Sequence, residues 1–295
     1  MSQVSMIRPT TIDEFLHPIS GCVTPLIGFS GERAVVGGTA VLIAPGVAIT
    51  AAHVLEEILA QFGYNQNSKD VALDIYLTQL NSGASWYVCG SHTWVGTDIS
   101  VLNIKPRNEV AQRTSIHRLP ISVDPPDVGA TVTALGYPGT KLAIHRNDNE
   151  MLKMCFEVTP TLSSGVVTDV HADYRDRVNI RFPCFAVNAE FSAGMSGGAV
   201  FNSDKELCGL VCAGGEGALK DHSYAVSIWP TSIIPVMLHE AYSSAPDAMV
   251  GKSYKLLELA RLGIVDLRGH ERIEFFTHEN GSDGVRRHHT SSKPT

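Results

Sequence analysis

Residues 37–54 read GGTAVLIAPGVAITAAHV. Two runs of small and β-branched apolar residues flank Pro45-Gly46, a turn signal, so the stretch reads as strand, turn, strand. The second run ends on His53, and HVLEEILAQFG (53–63) then takes up helical spacing and stops at Gly63. Upstream, CVTPLIGF continues the β pattern back to Gly21, behind a polar lead-in of residues 1–18. Downstream, strand-like text resumes in VALDIYL, in SWYVCG (85–90) and in DISVLNI (98–104).

Residues 107–127, RNEVAQRTSIHRLPISVDPPD, form a polar, proline-containing crossing and mark the best internal boundary. A second β-rich half follows in ATVTALGY, MCFEVTPTLSSGVVTDV, RVNIRF, GGAVFN, LCGLVCAGG and SYAVSIW. Many short strands in two halves predict an all-β protein of barrels or sandwiches. The resulting division is a lead-in (1–18), a first β unit (19–118), a second (119–245) and a helical extension with a tail (246–295). Toward the C-terminus, 231–242 reads as a closing helix interrupted or started at Pro235, 252–263 as an amphipathic helix stopped by Gly263, and 277–295 as a mobile tail.

The bulk composition excludes several classes. At 295 residues with 44% hydrophobic and 18% charged residues, the chain can bury a full core. A net charge of −7 opposes general nucleic-acid binding, which needs a basic surface. No run approaches the roughly 18 apolar residues of a membrane span, and the start lacks the apolar stretch of a secretory signal. A cytoplasmic protein without nucleic-acid or membrane partners is expected. The six cysteines, Cys22, Cys89, Cys155, Cys184, Cys208 and Cys212, show no metal-binding spacing, and reduced thiols are expected. The histidines are scattered, no HExxH occurs, and His288-His289 is explained by a polar tail, so neither a metal nor another cofactor is expected.

Three strings carry chemistry. Thr50-Ala51-Ala52-His53-Val54 ends an apolar strand with a base. Thr97-Asp98-Ile99-Ser100-Val101-Leu102 opens an apolar strand with an acid. Gly194-Met195-Ser196-Gly197-Gly198-Ala199-Val200 sets a serine among glycines just before a strand. A serine nucleophile needs a base to take its proton, and the base needs an acid to fix its tautomer. The chain order is His, Asp, Ser, with the first two in the first half and the serine in the second. That order differs from the subtilisin and α/β-hydrolase orders and argues against a lipase or esterase.

Together these strings resemble the chymotrypsin-like (trypsin-like) serine peptidases, with supporting similarity to their HtrA-like or glutamyl-endopeptidase-like branch. Leu162-Ser163-Ser164-Gly165-Val166-Val167 resembles that branch's SGxV strand. Gly209-Leu210-Val211 resembles the strand that pairs with substrate, and Tyr224-Ala225-Val226 a pocket-wall strand; the likeness covers roughly residues 20–240. It implies two antiparallel six-stranded barrels with C-terminal helices and a serine endopeptidase using His53, Asp98 and Ser196. It also implies an oxyanion hole made by the N–H groups of Gly194 and Ser196. Glu190 falls at the pocket base, where a buried carboxylate would favour basic P1 residues; the alternative is that it points to solvent or into a salt bridge. Val211, Cys212 and Ala213 fall on the substrate-pairing strand, with Cys212 smaller than usual there.

Two departures stand out. Met195 occupies the position of the activating aspartate of the digestive members, and Val54 replaces the cysteine of the disulfide beside their histidine. A resting enzyme with a poorly formed 190–196 loop, ordered by a partner protein or ligand, is therefore expected, with 246–295 either a docking or restraining element or an extra helix packed on the barrel surface. The main rival is a catalytically silent binding module on the same fold.

Overall fold

A computed structural model of the chain describes residues 21–65, 68, 73–80, 82–146, 152–214, 222–238, 251–279, 281 and 283–288. The lead-in 1–18, residues 239–250 and the end of the tail lie outside the described residues.

The first barrel is built from β1 (Val23–Ser30), β2 (Arg33–Ala44), β3 (Val47–Ala51), β4 (Asp74–Thr78), β5 (Ser85–Thr93) and β6 (Ile99–Pro106). It closes in the order β1-β2-β3-β6-β5-β4, with β4 pairing back on β1. The 37–54 stretch forms β2 and β3, turning through Gly46 at φ +80. Its unbroken apolar text has a structural cause. Ala40, Leu42, Ala48 and Ala51 fill the barrel interior. Val41, Ile43, Val47 and Ile49 on the opposite face belong to a separate buried cluster between the barrels. A strand buried on both faces cannot alternate apolar with polar residues.

A polar crossing leads to the second barrel and carries β7 (Ile121–Ser122). Then come β8 (Thr131–Gly136), β9 (Lys141–Arg146), β10 (Leu152–Glu157), β11 (Thr161–His171), β12 (Cys184–Val187), β13 (Ala199–Phe201), β14 (Leu207–Ala213) and β15 (Ser223–Ser227). Six of these close a second ring, β13-β8-β11-β12-β15-β14, through the β13–β14 pairing. The β9–β10 hairpin stands apart and lays Leu142 and Ile144 beside Ile27 and Tyr76 of the first barrel. Two six-stranded antiparallel barrels give the chymotrypsin fold. Among the described residues no helix is long and apolar enough to cross a membrane.

The C-terminal region departs from expectation. Among the described residues of 231–242, which end at Leu238, a 3-10 turn (Trp229–Ile233) is followed by β16 (Pro235–Met237) in place of helix. Pro235 holds Ile234 extended at ψ 131, and the helix cannot form. The 252–263 segment divides into β17 (Ser253–Lys255), paired with β16, and a short helix, Leu256–Arg261. That helix starts where the Lys255 N–H donates to Glu258 Oε2 at 2.7 Å. The expected tail is in part a hairpin, β19 (Ile273–Thr277) and β20 (Asp283–Arg287). Arg287 and Arg272 both bond Asp124 of the inter-barrel crossing.

The extension is therefore built into the molecule. Strand β18 (Leu267–Arg268) pairs in parallel with β7, which pairs with β14 at Leu207. Leu256, Leu257, Leu259, Ile264 and Val265 join the same buried cluster as Val41 and Phe201. Its described residues are placed as a core element. Leu259→Ala is expected to lower unfolding free energy by about 2–5 kcal/mol. Leu262→Ala, at a side chain 55% exposed, should change it by about 0.5 kcal/mol or less. Deletion of 251–295 should prevent cooperative folding, and denaturant titration checks all three.

Candidate active site

His53 is the second residue of the helix Ala52–Gln61. The residue before that helix, Ala51, offers no side-chain cap. Asp98 takes over that task from the adjacent strand. Its carbonyl accepts the Ala52 N–H at 2.9 Å and its Oδ1 accepts the His53 N–H at 3.1 Å. A carboxylate at the positive end of a helix is favourably placed. The other oxygen, Oδ2, accepts from His53 Nδ1 at 2.7 Å, which leaves Nε2 as the imidazole's free acceptor. One carboxylate thus caps the helix and fixes the ring tautomer.

Burial by itself lowers the His53 pKa. The Asp98 hydrogen bond and charge raise it, Glu57 and Glu56 add to this, and the net position is above the usual 6.5. The imidazole is 39% exposed, open on one side.

Ser196 sits in a turn seated against the first barrel. Its carbonyl accepts the Thr39 N–H at 2.9 Å. Next in the chain, Gly197 has φ +77, and a Cβ there would collide with Thr39 O and Thr50 Oγ1. The turn is thus pressed onto the strands that deliver His53, and only glycine fits. Before the serine, the Met195 N–H donates to Ser192 O at 3.0 Å, with Gly194 at φ +91 between them. That is a type II turn, which requires glycine at its third position. The N–H groups of Gly194 and Ser196 meet no acceptor among the described residues. Nor does a hydrogen bond join Ser196 Oγ to His53 among them. Within the 190–196 loop, residues 192–195 form a hydrogen-bonded turn. Met195 is fully buried in the interior of the second barrel, beside Phe191 and Val200.

Residues 38–210 match the trypsin-like peptidase domain. The chain belongs to the trypsin-like peptidase family. Among solved structures, an inactive form of Rv3671c from M. tuberculosis H37Rv is similar at 14% identity and TM-score 0.47, covering 77% of this chain and 91% of that one. The HtrA-type protease AlgW with a decapeptide is similar at 16% identity and TM-score 0.46, over 70% of this chain and 61% of that one. No curated protein matches the sequence.

The peptidase's expected substrate residues fall differently. Ala189 and Phe191 turn inward, and Ser223 Oγ pins both by accepting the Phe191 N–H at 3.0 Å and donating to Ala189 O at 2.6 Å. Glu190, between these two anchored residues, is exposed, the solvent-facing alternative. Val211 is 1% exposed and faces the second barrel's interior. Its carbonyl accepts the Gly197 N–H and its N–H bonds Gly198 O, so its backbone serves the serine turn and is closed to substrate. Cys212 and Ala213 are half-buried, and a Cβ on Gly214 would collide with Phe191 O.

Cys212 donates to Tyr224 O at 3.3 Å, and burial, with the Asp98 charge, pushes its thiol well above the ordinary range. Strand irregularities separate it from Cys208, which faces the barrel interior, although plain alternation would put both on one face. All six cysteines are free.

Sequence reading passed over Thr39, Tyr137 and Ser223, which hold the site together. The available signal was a hydroxyl inside an otherwise apolar run, as at Thr39 and Thr50.

The raised His53 pKa has a sign. Protonation favours the folded state, so this contribution is present below about 6.5 and is lost as pH rises through the folded value. An NMR titration should place the His53 midpoint above 6.5, and Asp98→Asn, which leaves burial unopposed by that charge, should move it down. A midpoint unchanged by Asp98→Asn would contradict the assigned cause.

Proposed function

We propose that this peptidase is a serine endopeptidase acting through an acyl-enzyme. Ser196 Oγ gives its proton to His53 Nε2 and attacks the substrate carbonyl. The resulting oxyanion lies against the N–H groups of Gly194 and Ser196. His53 then passes the proton to the leaving amine, and water releases the acyl group by the reverse sequence. Asp98 holds the ring in the Nδ1–H tautomer and stabilises the imidazolium. The observation that carries this reading is the pair of N–H groups, of Gly194 in the type II turn and of the candidate nucleophile Ser196 just after it, that meet no acceptor among the described residues. Donors fixed before the reaction need no reorganisation when charge develops, and removing one costs about 2.7–4 kcal/mol in such sites.

The substrate is a protein or peptide. Glu190 gives weak grounds for a basic P1 preference, because an exposed ion pair is worth only about 0–1 kcal/mol. The second reading, a catalytically silent binding module, draws on the absence of a Ser196–His53 hydrogen bond among the described residues. Such bonds are often long before substrate binds.

A fluorophosphonate probe separates the two. Wild-type protein should be labelled and Ser196→Ala should not, with casein cleavage falling on the order of 10⁶-fold in kcat. Cleavage should rise with pH as His53 becomes neutral, with its midpoint at or above about 6.5. Unlabelled wild-type protein would leave the binding-module reading standing.

A further inference from the structure

We propose that Thr39, on β2 of the first barrel, is the positioning residue of the Ser196 turn and sets the orientation of the two N–H donors that the second barrel supplies. This rests on the serine-peptidase reading above. Thr39 is 0% exposed and all its polar atoms are engaged. Its N–H donates to Ser196 O at 2.9 Å. Its Oγ1 accepts the Tyr137 N–H at 3.1 Å and donates to Gly194 O at 3.3 Å. Its own carbonyl accepts the Thr50 hydroxyl at 2.7 Å. Because the Tyr137 backbone N–H can only donate, the Thr39 hydroxyl hydrogen is left for Gly194 O.

The turn consists of successive rigid peptide planes. The planes 193–194 and 195–196 carry the unpartnered N–H groups. The planes 194–195 and 196–197 lie between and after them, and Thr39 holds the carbonyl of each. Glycine has no Cβ and takes positive or negative φ with similar ease, so Gly194 does not select its own conformation. A type II turn with Gly194 at φ +91 aims the 193–194 plane one way, and the type I alternative flips it. The Thr39–Gly194 bond is the one side-chain hydrogen bond on that glycine among the described residues. The two Thr39 bonds hold the planes on either side of 195–196, and the plane that follows 193–194, from the barrel that also delivers His53. Docking of the two barrels and assembly of the donor pair become one event.

The experiment compares the second-order rate of fluorophosphonate labelling, with p-nitrophenyl acetate turnover beside it, for wild type, Thr39→Val, Thr39→Ser and Thr78→Val. Thr39→Val keeps the shape and the backbone bond but loses both hydroxyl bonds. It should slow labelling and lower kcat roughly 10–100-fold, below the 10²–10³-fold loss of a whole donor. KM and the pH midpoint should stay put, because the His53–Asp98 pair is untouched. Thr39→Ser should restore the rate to within about threefold, since a hydroxyl alone makes these bonds. Thr78→Val removes a buried hydroxyl pair with Ser85, at 2.9 Å and remote from the turn, and should be labelled at the wild-type rate. Wild-type labelling of Thr39→Val, or an equal slowing of Thr78→Val, overturns the proposal. If Thr39→Val does not fold, Thr39→Ala is read by the same criteria. Failure of the wild type itself to react overturns the serine-peptidase reading and, with it, the role of Thr39.

Discussion

The hairpin of β2 and β3 is buried on both faces, and the rest of the molecule is arranged around that fact. One face packs inside the first barrel, and the other packs against Leu135, Phe201 and Leu210 of the second. A double-sided apolar surface leaves the barrels no low-energy way to stay apart, because separation would return Val41, Ile43 and Ile49 to water. The few polar atoms inside this contact must bond across it. The Thr39 N–H, the Thr39 hydroxyl and the Tyr137 hydroxyl do so, the last to Val23 O at 3.1 Å. The interface is apolar in bulk and specific at those points.

The site grows from the same contact. The hairpin's second strand runs directly into the helix that holds His53, and Asp98 immediately precedes β6, its antiparallel neighbour in the sheet. The serine turn enters from the other barrel and is clamped by Thr39 and by the backbone of Val211. None of these groups lies on a loose connection. The C-terminal extension closes the open side of the assembly by adding β18 to β7 and burying leucines beside the inter-barrel core. An appendage by its position in the chain, it is a structural member by its burial.

Much of the fold was legible because local signals agreed with one another. Pro45-Gly46 between apolar runs is a hairpin in any context, and Gly63 ends the helix as glycine commonly does. The string around Ser196 was legible for a steric reason: Gly197 admits no side chain, and Gly194 needs positive φ. Errors gathered where local pattern met a distant partner. The text of 252–263 has helical spacing, yet its first residues pair with Pro235–Met237 as a strand. The polar look of 277–287 hid Val285 and Arg287, which turn toward a core and toward Asp124.

Sequence alone determined the residue types, their order and the glycines without which the serine turn could not exist. These are local properties, set by sterics within a few residues. Tertiary structure decided which polar groups are free and which are spent. Glu190 faces solvent between two anchored neighbours, and Val211 is closed to substrate because the serine turn uses its backbone. Thr39 gains its place only when the second barrel supplies Gly194, Ser196 and Tyr137 as partners. Hydrogen bonds between residues far apart in the chain leave no local periodicity, so such roles become visible only when the barrels are packed together.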